Sequence, residues 1–178
     1  MSHEYSKSIF GELNVEPNWY AVTTKPRHEK KVFQLLTIKG IESYLPLQKL
    51  SRKWSDRYKV IEQPLFSCYV FVRIALKDRL PVLQTDGVVK LVTFNNIPAT
   101  IPDSQIQAVR LVLEKCHTIE HIDFLTPGQR IEVVQGPLKG ISGLCVEIKN
   151  SHRLVVRLES IQQAISVDID LRDIKILE

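Results

Sequence analysis

Three groups of residues have types and spacings that could do chemistry. The first is Cys116, His117 and His121, a thiol and two imidazoles within six positions. Zinc sites use recognisable ligand spacings, and no fourth ligand is apparent here, so no metal or cofactor is expected. Cys68, Cys116 and Cys145 form no CxxC pair, which argues against a disulfide framework. A Cys–His nucleophilic pair can be drawn in any chain with three Cys and five His. It leaves a small thiol or metal hydrolase as the rival of another class. The second group is cationic: Lys25, Arg27, His28, Lys30 and Lys31. Cations neutralise phosphate, and an imidazole can stack on a base or hydrogen-bond to it. The third is the tract KLSRKWSDRYK over 49–59, where Arg52, Lys53, Arg57 and Lys59 alternate with Trp54 and Tyr58. Cations mixed with aromatics suit single-stranded nucleic acid or a duplex edge. Each cationic group also has a plain reading, as a solvated surface.

The charge is uneven. Residues 1–115 hold 17 Lys and Arg against 11 Asp and Glu, a net of +6; residues 116–178 hold 7 against 9, a net of −2. A basic front and a slightly acidic back imply two parts with different partners. The chain is 44% hydrophobic and 25% charged, the balance of a soluble globular protein. No apolar run approaches the roughly 20 residues that span a bilayer. Residues 1–17 read as a polar, flexible leader without a signal peptide, so a cytoplasmic protein is expected.

The elements that must position these groups follow from periodicity. Asn18 to Val22 reads as a strand. Lys25-Pro26 opens a helix expected over Pro26 to Lys39, ended by Gly40. Val32, Phe33, Leu35 and Leu36 fall on one half of its wheel, and Arg27, Lys30, Lys31 and Gln34 on the other. Ile41 to Leu47 reads as a strand, and 49–59 as a basic loop or hairpin tip. Val60 to Gln63 and Cys68 to Ile74 then read as hairpin arms. On the second arm Tyr69 and Phe71 share a face where polar residues are usual, so the fold or a partner must cover them. Leu76 to Gln84 reads as a short helix, Val88 to Phe94 as a strand and Pro102 to about Lys115 as a helix. The front is thus an α+β domain over 18–115, an antiparallel sheet flanked by helices. Residues 116–126 lack periodicity and read as a mobile linker.

From 127 the texture changes. Residues 126–178 hold 14 Ile or Val, and Ile165, Val167, Ile169 and Leu171 alternate with polar residues. Short strands with Gly turns imply a small all-β barrel over 127–178. The alternation and Pro137 favour strands there over helices. The run from Gly128 to Gly143, with Val133, Gly136, Pro137 and Gly140, resembles the KOW motif of SH3-like barrels in transcription and ribosomal proteins. Turn geometry alone would also call for several of these glycines.

The front continues the resemblance. Trp19-Tyr-Ala-Val22, Lys25-Pro-Arg27, Glu42-Ser-Tyr-Leu-Pro46, Pro64-Leu-Phe-Ser-Cys-Tyr-Val-Phe-Val72, Gly87-Val88, Phe94 and Pro98 follow the order of the NusG N-terminal domain. Over about 18–178 the chain resembles the NusG transcription factors, and its 64–72 tract resembles the specialised RfaH-like and UpxY-like antiterminators. The resemblance implies a monomeric, non-enzymatic factor that suppresses pausing and termination on chosen operons. It implies docking on the RNA polymerase clamp helices through Phe66, Tyr69 and Phe71. It implies contact with the non-template DNA strand near Lys25, a surface that Arg27, His28, Lys30 and Lys31 extend, and with nascent RNA. The barrel would recruit a ribosomal protein or Rho. A housekeeping NusG or a KOW-type RNA-binding protein is the nearer alternative. Three departures stand out. Ser67-Cys68 replaces the usual Pro-Gly. Leu76-Lys-Asp-Arg79 replaces a His-Thr-rich contact to the opposite polymerase pincer. Ile161 to Ile165 lacks the Phe-Gly pair of general NusG factors.

Overall fold

The structure, a computed structural model, describes residues 15–53, 57–148 and 151–177, and for Arg52 the backbone alone. The expected leader, apart from 15–17, and Trp54 lie outside the described residues. The chain is a mixed fold of antiparallel sheets and few helices, in two compact units, Met1–Pro102 and Asp103–Glu178.

The first unit is built on a sheet of order β2-β5-β1-β6, from β1 (Asn18–Thr24), β2 (Ser43–Tyr44), β5 (Tyr69–Ile74) and β6 (Val88–Leu91); β9 (Thr100–Ile101) also pairs with β1. Strand β1 is rich in aromatic and β-branched residues, which fit a pleated surface. One face of the sheet carries Tyr20, Val22, Val70, Val72 and Ile74. It packs in one core with Val32 and Leu36 of α1 (Glu29–Ile38) and Val82 of α2 (Arg79–Leu83). Pro81 sits in the first turn of α2, where its missing N–H costs nothing. Strands β3 (Leu47–Lys53) and β4 (Tyr58–Pro64) form a separate hairpin. A smaller hairpin, β7 (Thr93–Phe94) and β8 (Ile97–Pro98), turns through Asn95 and Asn96, both at positive φ.

Several expectations need correction. Of the basic tract 49–59, expected as a loop or hairpin tip, residues 49–53 and 58–59 are strand in the β3–β4 hairpin, and Val60 to Gln63 pairs with β3, not with Cys68 to Ile74. Much of this hairpin is solvated, so no polar–apolar alternation marks it. The expected Ile41–Leu47 strand is broken: Ser43–Tyr44 forms β2, and Leu47 belongs to the next strand, β3. The first helix begins at Glu29 rather than Pro26. Lys25–His28 is a tight turn closed by the His28 N–H on the Lys25 carbonyl at 3.1 Å. Arg27 at its centre has φ 63°, which no right-handed helix accepts.

The second unit holds α3 (Asp103–Lys115) and a six-stranded antiparallel sheet of order β10-β14-β13-β12-β11-β15. Its strands are β10 (Glu120–Ile122), β11 (Gln129–Val133), β12 (Ser142–Ile148), β13 (Ser151–Leu158), β14 (Gln163–Asp168) and β15 (Ile174–Ile176). Helix α3 matches its expected span, and its contacts group it with this unit, whereas the sequence boundary at 115 follows it. The expected mobile linker contains β10, paired with β14 through Glu120↔Ser166, His121↔Ile165 and Ile122↔Ala164. Two arginines on one face of β13 hold this segment. Arg153, buried, pairs with Glu120 and lies 3.4 Å from Asp168. Arg157 donates to the Thr126 carbonyl and lies 5.4 Å above the Phe124 ring. Three residues are too few to show periodicity, so β10 is invisible in the sequence.

Candidate nucleic-acid interface

Three turns meet at the start of α1. The β1–α1 turn carries Lys25, Arg27 and His28, the β4–β5 turn carries Cys68, and the α2–β6 turn carries Asp86 and Gly87. The Thr24 N–H donates to the Cys68 carbonyl at 2.9 Å, and the Lys25 N–H to the Gly87 carbonyl at 2.8 Å. Glu29, buried in the first turn of α1, accepts the Cys68 N–H at 2.8 Å. A buried carboxylate with a hydrogen bond, near the positive end of a helix, is a stable brace. Gly87 has φ 96°, and a Cβ there would lie 2.9 Å from Val32 Cγ2 and 3.2 Å from His28 Cβ. The three turns are therefore pressed together by backbone bonds and close packing.

Around this junction Lys25, Arg27, Lys30 and Lys31 are exposed and His28 is half-buried. The five predicted residues are thus brought together, but not as equals. Lys30 Nζ donates to the Glu62 carbonyl at 2.9 Å, tying α1 to β4. Lys31 Nζ lies 2.7 Å from Asp86 Oδ2, so part of its charge is already answered within the chain. That lysine, first by hydrogen bond and then by charge, holds the Asp86 carboxyl below its ordinary pKa, with Lys25 and His28 adding to the effect. His28 Nδ1 lies 3.0 Å from the Pro26 carbonyl; an oxygen there only accepts, so Nδ1 carries the proton. Sequence pattern does not single out Asp86 or Glu29. Asp86 is there only half of an Asp-Gly turn signal, and nothing in the local pattern marks Glu29.

The hairpin β3–β4 gives a second cationic surface. Lys53 and Arg57 are exposed, and the register sets Arg52 opposite Lys59 and Lys53 opposite Tyr58. Like charges directly opposite one another destabilise a strand pair. Tyr58 is 70% exposed and Val60 64%.

The aromatic triad is placed differently from the exposed surface that docking requires. Phe66 and Phe71 are buried at 2% and 1% exposure, and Tyr69 is half-buried. Phe66 meets Phe71 edge-on with centroids 6.1 Å apart, and Tyr44 lies 6.3 Å from Phe71 on the other side. Register places Ala21 beside Phe71, whose small side chain leaves the ring room. Trp19 on the same face is also buried, so the sheet is covered on both faces and needs no polar side. Cys68 takes φ 65°, the left-handed conformation that the Gly of the usual Pro-Gly would adopt freely.

In the second unit the KOW-like glycines divide by cause. Gly136 and Gly140, at φ 77° and 92°, serve the turn between β11 and β12 that contains Pro137. Gly128 and Gly143 are close approaches instead: a Cβ would lie 2.9 Å from the Cys145 carbonyl at the first and 2.5 Å from that of Val155 at the second. Val133 is buried at the end of β11. Cys116, His117 and His121 form no group able to hold a metal among the described residues. No helix there is long and apolar enough to cross a membrane.

Comparison with known proteins gives a family. No curated protein sequence matches the chain. Among solved structures it resembles that described as "Domain interaction in Thermotoga maritima NusG", with TM-score 0.54 and 18% identity over 93% of this chain and 99% of that one. Two structures of an MjSpt4:Spt5 complex, conformations B and A, give TM-scores of 0.32 and 0.31 at 18% and 17% identity. They cover 90% of this chain and 97% and 98% of theirs. The family model described as "Transcription termination factor nusG" matches residues 17–110. That span is more than half of the chain, and the chain belongs to the NusG family of transcription factors.

Proposed function

We propose that this chain is a specialised, operon-specific elongation and antitermination factor that acts by binding rather than catalysis. NusG-family factors bind RNA polymerase. Here the N-terminal unit docks on the polymerase clamp helices and touches the single-stranded non-template DNA. The observation that carries the DNA contact is the braced corner at the start of α1, where Lys25, Arg27 and Lys30 are exposed around His28. Phosphates neutralised there release counterions, so binding falls with salt. The β3–β4 hairpin, with Arg52, Lys53 and Arg57, adds a second nucleic-acid contact. Polymerase docking uses the face of Phe66, Tyr69 and Phe71. Since two of these rings are buried in the chain by itself, engagement requires that face to be uncovered. The six-stranded sheet is the KOW barrel and recruits a further factor, a ribosomal protein or Rho. The experiment is transcription from a leader with a known pause, with recruitment to the paused complex measured across salt. A Lys25→Gln, Lys30→Gln variant should bind less tightly, with a salt slope shallower by about 2. Unchanged recruitment and slope would remove the DNA contact. Equal action on every leader would make the protein a housekeeping NusG instead.

A further inference from the structure

An exposed acid, Asp86, stands among the cations of the α1 corner, and the role inferred for it rests on the reading of that corner as a DNA contact. Turn chemistry asks for a small polar residue at position 86, in the turn closed by the Val88 N–H on the Thr85 carbonyl at 3.0 Å. Asn would serve as well. A carboxylate repels the phosphates that its neighbours attract, and its pair with Lys31 engages only Oδ2.

Its position is fixed on three sides. Gly87 is packed against Val32 and His28, the Lys25 N–H holds the Gly87 carbonyl, and Lys31 Nζ holds Asp86 Oδ2 at 2.7 Å. The lysine contact leaves Oδ1 able to accept. Beside it, His28 spends its Nδ1 proton on Pro26, so Nε2 of the neutral ring is also an acceptor. The corner thus sets two hydrogen-bond acceptors within a frame of cations. An ionised carboxylate only accepts. Guanine, cytosine and adenine each present an exocyclic amino donor; thymine offers a carbonyl in its place.

We propose that Asp86, with His28 beside it, is a specificity-determining residue: it accepts a hydrogen bond from the exocyclic amino group of a non-template base, and so rejects thymine, while Lys25, Arg27 and Lys30 hold the neighbouring phosphates. Lys31 then positions the carboxylate.

The test uses the full-length chain and polymerase elongation complexes assembled on two scaffolds. The single-stranded non-template segment is all deoxycytidine in one and all thymidine in the other, two pyrimidines of nearly equal size. The wild-type chain should bind the cytidine complex roughly tenfold more tightly, the worth of one hydrogen bond to a charged group. Asp86→Asn should bring the two affinities within about twofold, because an amide both donates and accepts. It should do so by tightening the thymidine complex as a negative charge is lost. Equal wild-type binding to both scaffolds, with binding still weakened by Lys25→Gln, Lys30→Gln, would overturn the proposal and leave the DNA contact standing. Retention of the tenfold ratio in Asp86→Asn would overturn it equally. Binding that is equal on both scaffolds and insensitive to the lysine variant would overturn the DNA contact itself.

Discussion

The two units make their tightest turns with different residues. In the second, the left-handed positions at the β11–β12 turn are glycines, 136 and 140. In the first, only one of the three left-handed positions at the candidate interface is a glycine, Gly87 at φ 96°; the others are Arg27 and Cys68, at φ 63° and 65°. A side chain in that conformation costs about 1–2 kcal/mol that glycine avoids. The β11–β12 turn is therefore relaxed, although Gln162 elsewhere in that unit also takes a positive φ, 51°, and the first unit is strained where it would meet nucleic acid. Strain held at a corner made of three braced turns points to use of the side chain, at least for Arg27, which is exposed.

Substitutions can break that contrast. The largest effect should come from Gly143→Ala. Its Cβ would sit 2.5 Å from a backbone oxygen of β13, and backbone cannot swing away as a side chain can. A loss of about 3 kcal/mol is expected, from overpacking, read by urea unfolding. Next come Gly136→Ala and Gly140→Ala, each costing about 1–2 kcal/mol for the left-handed backbone. Gly136→Ala should be the worse, because its Cβ also meets Asp173 Oδ2 at 2.8 Å, while Gly140 faces open space. If both are neutral, these turns are not held by φ, and the contrast between the units fails.

In the first unit the sign should reverse. Arg27→Gly should raise stability by about 1 kcal/mol and yet weaken recruitment to the paused complex. A variant that gains stability and keeps its affinity would show that the strain serves nothing at the interface. Cys68→Gly should gain less, since its half-buried side chain also loses packing. The smallest effect is electrostatic. Asp86 should titrate below the ordinary carboxylate value of 3.8, and the midpoint should rise when Lys31 becomes Met. Because the folded carboxyl is held low, its contribution is present above the unfolded pKa and disappears as pH falls through the folded one. Side-chain carbonyl NMR across pH 2–6 reads the midpoint directly, and one unmoved by Lys31→Met would detach Asp86 from its partner.

Legibility in the sequence followed burial. Helix α3 was readable because Ile106 and Val109 repeat at helical spacing on a buried face. Strand β14 was readable from the alternation at Ile165 and Val167, although the strand stops at Asp168 and does not continue to Leu171. Of the β3–β4 hairpin, Val60 to Gln63 was readable as an arm, but its partner β3 was not, because exposed residues on both faces erase the signal. Helix α1 was legible in type but not in origin: Pro26 is a good first-turn residue, but it is also a good turn residue, and the left-handed Arg27 decides the matter. The cations of the corner were found by charge and spacing. Their brace was not, since Glu29, Cys68 and Gly87 meet only through long-range backbone bonds. Tyr69 and Phe71 were found by their unusual face and Phe66 through the family resemblance, but sequence could not say that the chain itself covers them, because Ala21, Tyr44 and Trp19 come from two other strands.

Strand β10 has one further consequence, for self-association. Without it, β14 would be the edge of its sheet, and the run Ala164 to Val167 is buried and largely apolar. An unpaired edge of that kind is a template for a second copy. The segment 120–126, clasped by Arg153 and Arg157, therefore acts as a guard on the sheet. A C-terminal fragment begun at 127 would lack it and be prone to pair edge to edge, whereas one begun before Ile119 would carry its own protection.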